Sequence, residues 1–350
     1  MENLKFIINW AKETLLSKGY ILIREPEPIQ TTPYSSVIHF ISSNGDIYLK
    51  QTPPALFLEP MTIQILHEQF QANVPIVIAV NKPLNCFLMK GCGNPLRENL
   101  KNNFQVKLLC QGIKKYTDIQ YAVANHTNLF LDLGVPDWRL EKLPFLYQEL
   151  ISRKDLLTQD GISAEELQSL QDLPPLFLSI CEIVSQYKIT ETLDHCDFHD
   201  NNILIESGSE NLTIIDWGET VIAHPFFPLI SFLSTTAYRY GLKETDENFI
   251  EIQEACFKNW QGTHQKNELL TAMRITKKLW PIYSALGYYR LIESSNLNPN
   301  VEALQSYFIS GRNKGRLAGY LKEFIRTTAH LDPTDTSRVN LSDPARHIHG

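Results

Sequence analysis

His195-Cys196-Asp197-Phe198-His199-Asp200-Asn201-Asn202 is followed, one short strand–turn–strand later, by Ile215-Asp216-Trp217-Gly218. The two apolar runs between them, Ile203-Leu204-Ile205 and Leu212-Thr213-Ile214-Ile215, are joined by Ser207-Gly208-Ser209 and read as a hairpin. A hairpin returns the chain to where it started, so Asn202 and Asp216 are brought to one end of it. Carboxylate, amide and second carboxylate in this arrangement have the spacing of a phosphoryl-transfer site. Asp197 is placed to take a proton from an acceptor hydroxyl. Asn202 and Asp216 offer the hard oxygen ligands that magnesium prefers, leaving its other positions to water and phosphate.

Working outward from that stretch, the N-terminal third is mixed. Leu4, Ile7, Ile8, Ala11 and Leu15 recur at helical spacing and end before Gly19. Strands are predicted over 20–26, 36–42 and 46–51, with Ser43-Asn44-Gly45 turning between the second and third, so that Lys50 lies on a strand. Pro53-Pro54 ends that strand, and Met61, Ile65, Leu66 and Phe70 mark one face of a helix. Extended structure resumes over 75–80 and 86–89. The glycines of Lys90-Gly91-Cys92-Gly93 mark the crossing to a second part of the chain. Beyond it the periodicity is helical over 98–110, 114–127, 144–156, 163–171, 174–187, 246–260, 266–293 and 301–327. The fold class is therefore α+β, with lobes at residues 1–89 and 90–330 and a poorly packed tail at 331–350, rich in Pro, Asp, Ser and Thr.

At 350 residues the chain is long enough for two lobes around a cleft. Its 32 basic and 39 acidic residues are interspersed and sum to −7, which argues against a nucleic-acid surface. No apolar run reaches the length of a membrane span, and the N-terminus has no leader pattern, so no membrane partner and a cytoplasmic location are expected. The six cysteines are scattered without a C-x-x-C pair and are expected to be reduced thiols.

The quoted residues resemble the aminoglycoside phosphotransferase and choline kinase family, whose bilobal fold is related to that of protein kinases. That family writes its catalytic loop His-Gly-Asp-Leu-His-Pro-Gly-Asn and its metal segment Ile-Asp-Phe/Trp-Gly. His195, Asp197, His199 and Asn202 match the first, and Asp216, Trp217 and Gly218 the second. The resemblance extends over roughly residues 20–235. It implies ATP and Mg²⁺ as cofactors, a small-molecule hydroxyl as acceptor, Asp197 as base, Asn202 and Asp216 as metal ligands, and His195 and His199 as supports. By the same match Lys50 binds the α and β phosphates and Glu59 holds Lys50, with Glu68 as its rival. Backbone groups of Met89 and Lys90 are expected to face the adenine. The loop covering the nucleotide, Gln30 to Ser36, lacks glycine, so its phosphate contacts fall to backbone groups or to the hydroxyls of Ser35 and Ser36.

Three departures stand out. Cys196 replaces the family's glycine, Asp200-Asn201 replaces its Pro-Gly, and Pro228 stands where an aspartate commonly anchors the catalytic loop. Without that anchor, His195 is expected to find another acceptor, a backbone carbonyl or a carboxylate. Two other readings remain open: a kinase-shaped nucleotide-binding protein without turnover, and a metal-dependent hydrolase using His195, Asp197, His199 and Asp200 with a distant His126 or His224.

Overall fold

The computed structural model describes residues 2–296 and 313–329. Its N-terminal part is an antiparallel sheet with a helix on each side. The elements are α1 (Glu2–Ser17), β1 (Glu27–Thr32), β2 (Ser35–Ser42), β3 (Gly45–Gln51), α2 (Glu59–Phe70), β4 (Val77–Asn81) and β5 (Cys86–Lys90), and the strand order is β1-β2-β3-β5-β4. Alternation along β3 sorts its side chains between the two faces. Ile47 and Leu49 join Ile38, Phe40 and Leu88 under Ile7, Ala11 and Leu15 of α1. Lys50, opposite Phe87 in the ladder, falls on the other face, towards α2.

The strand predicted at 20–26 does not form. That segment makes a single bridge, Leu22 to Ser42, with Ile21 and Ile23 both 66% exposed. The edge strand is instead β1, which tolerates Pro28 because an edge leaves some amides unpaired, and which is bulged between Pro28 and Gln30. As a result, the region expected to be an open loop over 30–36 is a tight hairpin, with Thr32 paired to Ser35.

The second part begins with β6 (Asn94–Pro95), α3 (Leu96–Asn102), α4 (Val106–Val123), α5 (Asn128–Leu133), α6 (Leu143–Ser152), α7 (Lys154–Asp160), α8 (Ala164–Asp172) and α9 (Pro174–Ser185). Helices predicted separately at 98–110 and 114–127 are divided earlier, at 103–105, and α4 runs straight through Gly112. A Cβ on Gly112 would lie 2.7 Å from Cδ1 of Ile203, so this glycine permits close packing of α4 on the hairpin rather than ending a helix. Next come β7 (Thr192–Asp194), β8 (Ile203–Ile205), β9 (Leu212–Ile214) and β10 (Val221–Ala223), followed by α10 (Phe226–Tyr240), α11 (Glu247–Ala255), α12 (Lys266–Asn296) and α13 (Arg316–Thr328). The sequence does not predict helix α10, because Pro225 and Pro228 flank its start. Both prolines fall at its cap and first turn, where no intrahelical amide is required. Of the helix predicted at 301–327, residues 301–312 lie outside the described residues, as does the tail predicted at 331–350.

The fold is α+β, an antiparallel sheet followed by a mainly helical part, as the sequence predicts. Among the described residues no helix is long and apolar enough to cross a membrane.

Candidate active site

The β8–β9 hairpin pairs Ile203 with Ile214, and the Ile215 amide continues the ladder by donating to the Asn202 carbonyl at 3.0 Å. Asn202 and Asp216 thus leave the same end of the hairpin. Asp216 has φ +70°, a left-handed conformation unusual for a residue with a Cβ, and the Trp217–Glu219 turn that follows is locked by the buried Trp217 ring, whose Nε1 donates to the Ile214 carbonyl at 3.0 Å.

Asp216 faces Lys50. The ammonium is paired with the Asp216 carboxylate and with Glu59 Oε2, the latter at 2.6 Å. Glu59 is therefore the partner of Lys50, and Glu68 is not. Gly218 makes room for this pair: a Cβ there would sit 3.2 Å from Glu59 Oε2. Burial works against the charge of Lys50, but Asp216 and Glu59 hold its pKa above the ordinary value. Glu59 is pushed up to about 7 by burial, partly offset by Lys50. At Asp216 burial is outweighed by Lys50, and the carboxyl stays below the usual range. The result is one firmly ionised carboxylate at the position expected of a metal ligand.

Around Asp197 the loop is tightly cross-braced. Its amide donates to the His195 carbonyl at 2.8 Å. Asn202 Nδ2 donates to the Asp197 carbonyl at 2.9 Å and lies 3.3 Å from its Oδ2, which leaves the Asn202 amide oxygen as the atom available to a cation. His199 Nε2 is 3.4 Å from Asp197 Oδ2; burial disfavours its charged form, but the carboxylate wins and raises its pKa. His195 is wholly buried and donates from Nε2 to the Ile215 carbonyl at 2.7 Å, a backbone acceptor of the kind expected for it. Burial depresses its pKa, which keeps the ring neutral.

Two further carboxylates, neither identified as supports from the sequence, fasten the loop. Asp194, fully buried at the end of β7, accepts from the Cys196 amide at 2.8 Å and the Tyr283 hydroxyl at 2.7 Å. Burial pushes its pKa up to about 7. Asp200, 4% exposed, accepts from Arg97 Nε at 2.9 Å and from the Tyr240 hydroxyl at 2.6 Å. With its oxygens taken, Asp200 does not border the cleft that Asp197 lines. His126 packs its edge on Phe70 and His224 accepts the Phe226 amide, so neither joins a ligand cluster with the loop. The left-handed position of the loop is Cys196, at φ +63°, which explains the glycine preference there; Asn201 does not adopt it.

The site opens on one cleft of about 430 Å³. Lys50, Glu59, Asp197, His199, Asn202 and Asp216 all border it, with Ser35 at the hairpin above. Ser36, Met89 and Lys90 are not among its lining residues. Ser35 Oγ lies 3.3 Å from Thr32 Oγ1 within the hairpin, and the Lys90 amide is committed to the Ile76 carbonyl at 2.9 Å, so that this amide is spent on the sheet. Glu219, whose pKa burial pushes up to about 8 with Asp197 and Asp216 adding to the effect, borders the cleft. Glu244, by contrast, pairs with Lys277 at 3.3 Å in a different pocket.

Residues 120–263, which include both motifs, match the model of the phosphotransferase enzyme family. The chain resembles this family in sequence and in fold. Solved structures of similar fold include an ethanolamine kinase of Plasmodium vivax, with 13% identity, TM-score 0.56, and 87% of this chain and 82% of the other covered. A choline/ethanolamine kinase family protein of Mesorhizobium loti aligns over 92% and 98% of the two chains, with 14% identity and TM-score 0.54. An aminoglycoside 2'-phosphotransferase solved with GDP aligns over 92% and 99%, with 12% identity and TM-score 0.57. At these identities the likeness is one of fold. No curated protein matches in sequence.

Proposed function

We propose that this chain is an ATP- and magnesium-dependent phosphotransferase that moves the γ-phosphate of ATP to a hydroxyl of a small molecule. The observation that carries the reading is the convergence of Lys50, Asp197, Asn202 and Asp216, drawn from three separate segments, on one cleft. In this reading residues 1–89 form the nucleotide lobe and 90–330 the catalytic and acceptor lobe.

The donor set suits the proposed cofactor: an ionised carboxylate and an amide oxygen, both hard, with no thiolate or imidazole required. Asp216 and Asn202 would hold magnesium, and Lys50, kept charged and aimed by Glu59, would meet phosphate oxygens. Bound there, the metal would offset the phosphate charge that develops on transfer. Asp197 would receive the proton of the acceptor hydroxyl. Its carbonyl and carboxylate are held by Asn202, and His199 beside it adds positive charge when protonated. Neutral His195 serves the backbone, tying the start of the loop to Ile215 so that Asp197 and Asp216 keep their separation.

An ATP-consumption screen over hydroxylated metabolites, amino alcohols, sugars and aminoglycosides tests the reading. Acceptor-dependent ADP release that Asp197→Asn abolishes is the expected result. Tight nucleotide binding with no ADP release from any acceptor would point instead to a kinase-shaped binding protein.

A further inference from the structure

The wall of the cleft farthest along the chain from Lys50 comes from α12 and α13, and two of its four aromatic side chains, Tyr288 and Tyr320, already face a cation of the chain itself. The Arg316 guanidinium carbon lies 5.4 Å from the centroid of the Tyr288 ring and 5.9 Å from that of Tyr320, and its Nε donates to the Tyr320 hydroxyl at 3.2 Å. Tyr288 is fixed in turn by donating to the Asn313 carbonyl at 3.1 Å. The backbone that carries Arg316 is pinned as well, because Asp160 accepts from the amides of Gly315 at 2.9 Å and Ala318 at 2.7 Å. Among the described residues no carboxylate lies within ion-pair distance of Arg316, although it borders the same cleft as Asp197.

This arrangement has a definite preference. Tyrosine faces attract cations, but two of them are here taken by a guanidinium, which repels a second positive charge. With one N–H spent on Tyr320, the remaining donors of the planar fork suit a carboxylate or phosphate, which they can grip through two parallel hydrogen bonds. Resting on the phosphotransferase reading, we propose that the acceptor is a hydroxylated acid, its anionic group held by Arg316 between Tyr288 and Tyr320 and its hydroxyl directed to Asp197. In the transfer the acceptor oxygen forms a bond to the γ-phosphorus, the bond from that phosphorus to the β–γ bridging oxygen breaks, ADP departs, and the hydroxyl proton passes to Asp197.

Calorimetric titration in the presence of magnesium and a non-hydrolysable ATP analogue separates the possibilities. The carboxylate arm uses glycerate and serine, the phosphate arm glycerol 3-phosphate, and the controls are glycerol, serine methyl ester, choline and ethanolamine. Binding of at least one acid, not matched by the controls and weakened about 30-fold or more in Arg316→Gln, is expected. Arg316→Lys, which keeps the charge and loses the fork, should fall between the two and guards against a folding defect. In turnover, the KM for the acid should rise in Arg316→Gln while that for ATP stays constant. The proposal is overturned if the acids fail to bind wild-type protein, if they bind Arg316→Gln equally well, or if choline or ethanolamine binds as tightly as the acids. Arg316-dependent acid binding without any ADP release would instead sustain the anion site and overturn the phosphotransferase reading.

Discussion

Asp200→Ala should loosen the catalytic loop at a cost that can be worked from its contacts. The carboxylate is almost wholly buried and satisfies three donors drawn from two helices: Arg97 of α3 through Nε at 2.9 Å and Nη2 at 2.8 Å, and the Tyr240 hydroxyl of α10 at 2.6 Å. Removing one member of a buried ion pair costs about 3–5 kcal/mol, because its partner keeps its desolvation penalty without its compensation. The Arg97 side chain retains 20% exposure and can partly rehydrate, which lowers the expected loss to about 2–3 kcal/mol. Urea unfolding of Asp200→Ala, Arg97→Ala and the double variant closes a thermodynamic cycle, with an expected coupling of about 1–2 kcal/mol. Because Asp200 is three residues from Asp197, turnover on an identified acceptor should fall as well, with little change in ATP affinity. Additivity of the two single losses within about 0.5 kcal/mol would refute the view that this pair clamps the loop.

Asp197→Asn keeps the shape of the loop and removes the proposed base, so turnover should fall by about 10²- to 10⁴-fold with nearly unchanged nucleotide affinity; wild-type turnover would assign the base elsewhere. Asp194 has a folded pKa raised to about 7, so the folded chain holds a proton that the unfolded chain releases at lower pH. Its contribution is fully present below the unfolded carboxyl value and is lost as pH rises through about 7; Asp194→Asn should make the decline in stability between pH 5 and 7 shallower by about 1.4 kcal/mol per pH unit, as read from chemical denaturation. An unchanged slope would show that Asp194 is ionised throughout. At the left-handed Cys196, glycine should be more stable than alanine by about 1 kcal/mol, the reverse of the usual order, and thermal unfolding of Cys196→Gly and Cys196→Ala compares them directly.

The elements that were legible in the sequence are those whose signal is local. The turn between Ile205 and Leu212 forces a hairpin, and a hairpin forces Asn202 and Asp216 together whatever surrounds them. The apolar run and the turn at Ser43-Asn44-Gly45 likewise placed Lys50 on a strand. What escaped depended on partners distant in sequence. Asp194 reads as an ordinary strand end until Tyr283, 89 residues away, supplies its hydrogen bond. The role of Arg316 depends on Tyr288 and Tyr320, on two helices whose packing no periodicity reveals. At α10 the prolines concealed the helix they begin, and at the edge of the sheet the apolar run from Tyr20 to Ile23 concealed a strand that starts only at Glu27. The expectation for Lys90 met a constraint invisible in one dimension, since the sheet had already claimed its amide.

Titration of ATP with magnesium into wild-type protein, Asp216→Ala and Lys50→Ala bears most directly on the cleft as the nucleotide site. Asp216→Ala should lose the magnesium-dependent part of binding, because a metal bridging phosphates loses its charged protein ligand. Lys50→Ala should bind ATP more weakly in either condition while remaining folded by circular dichroism. Wild-type affinity in both variants would place the nucleotide outside this cleft.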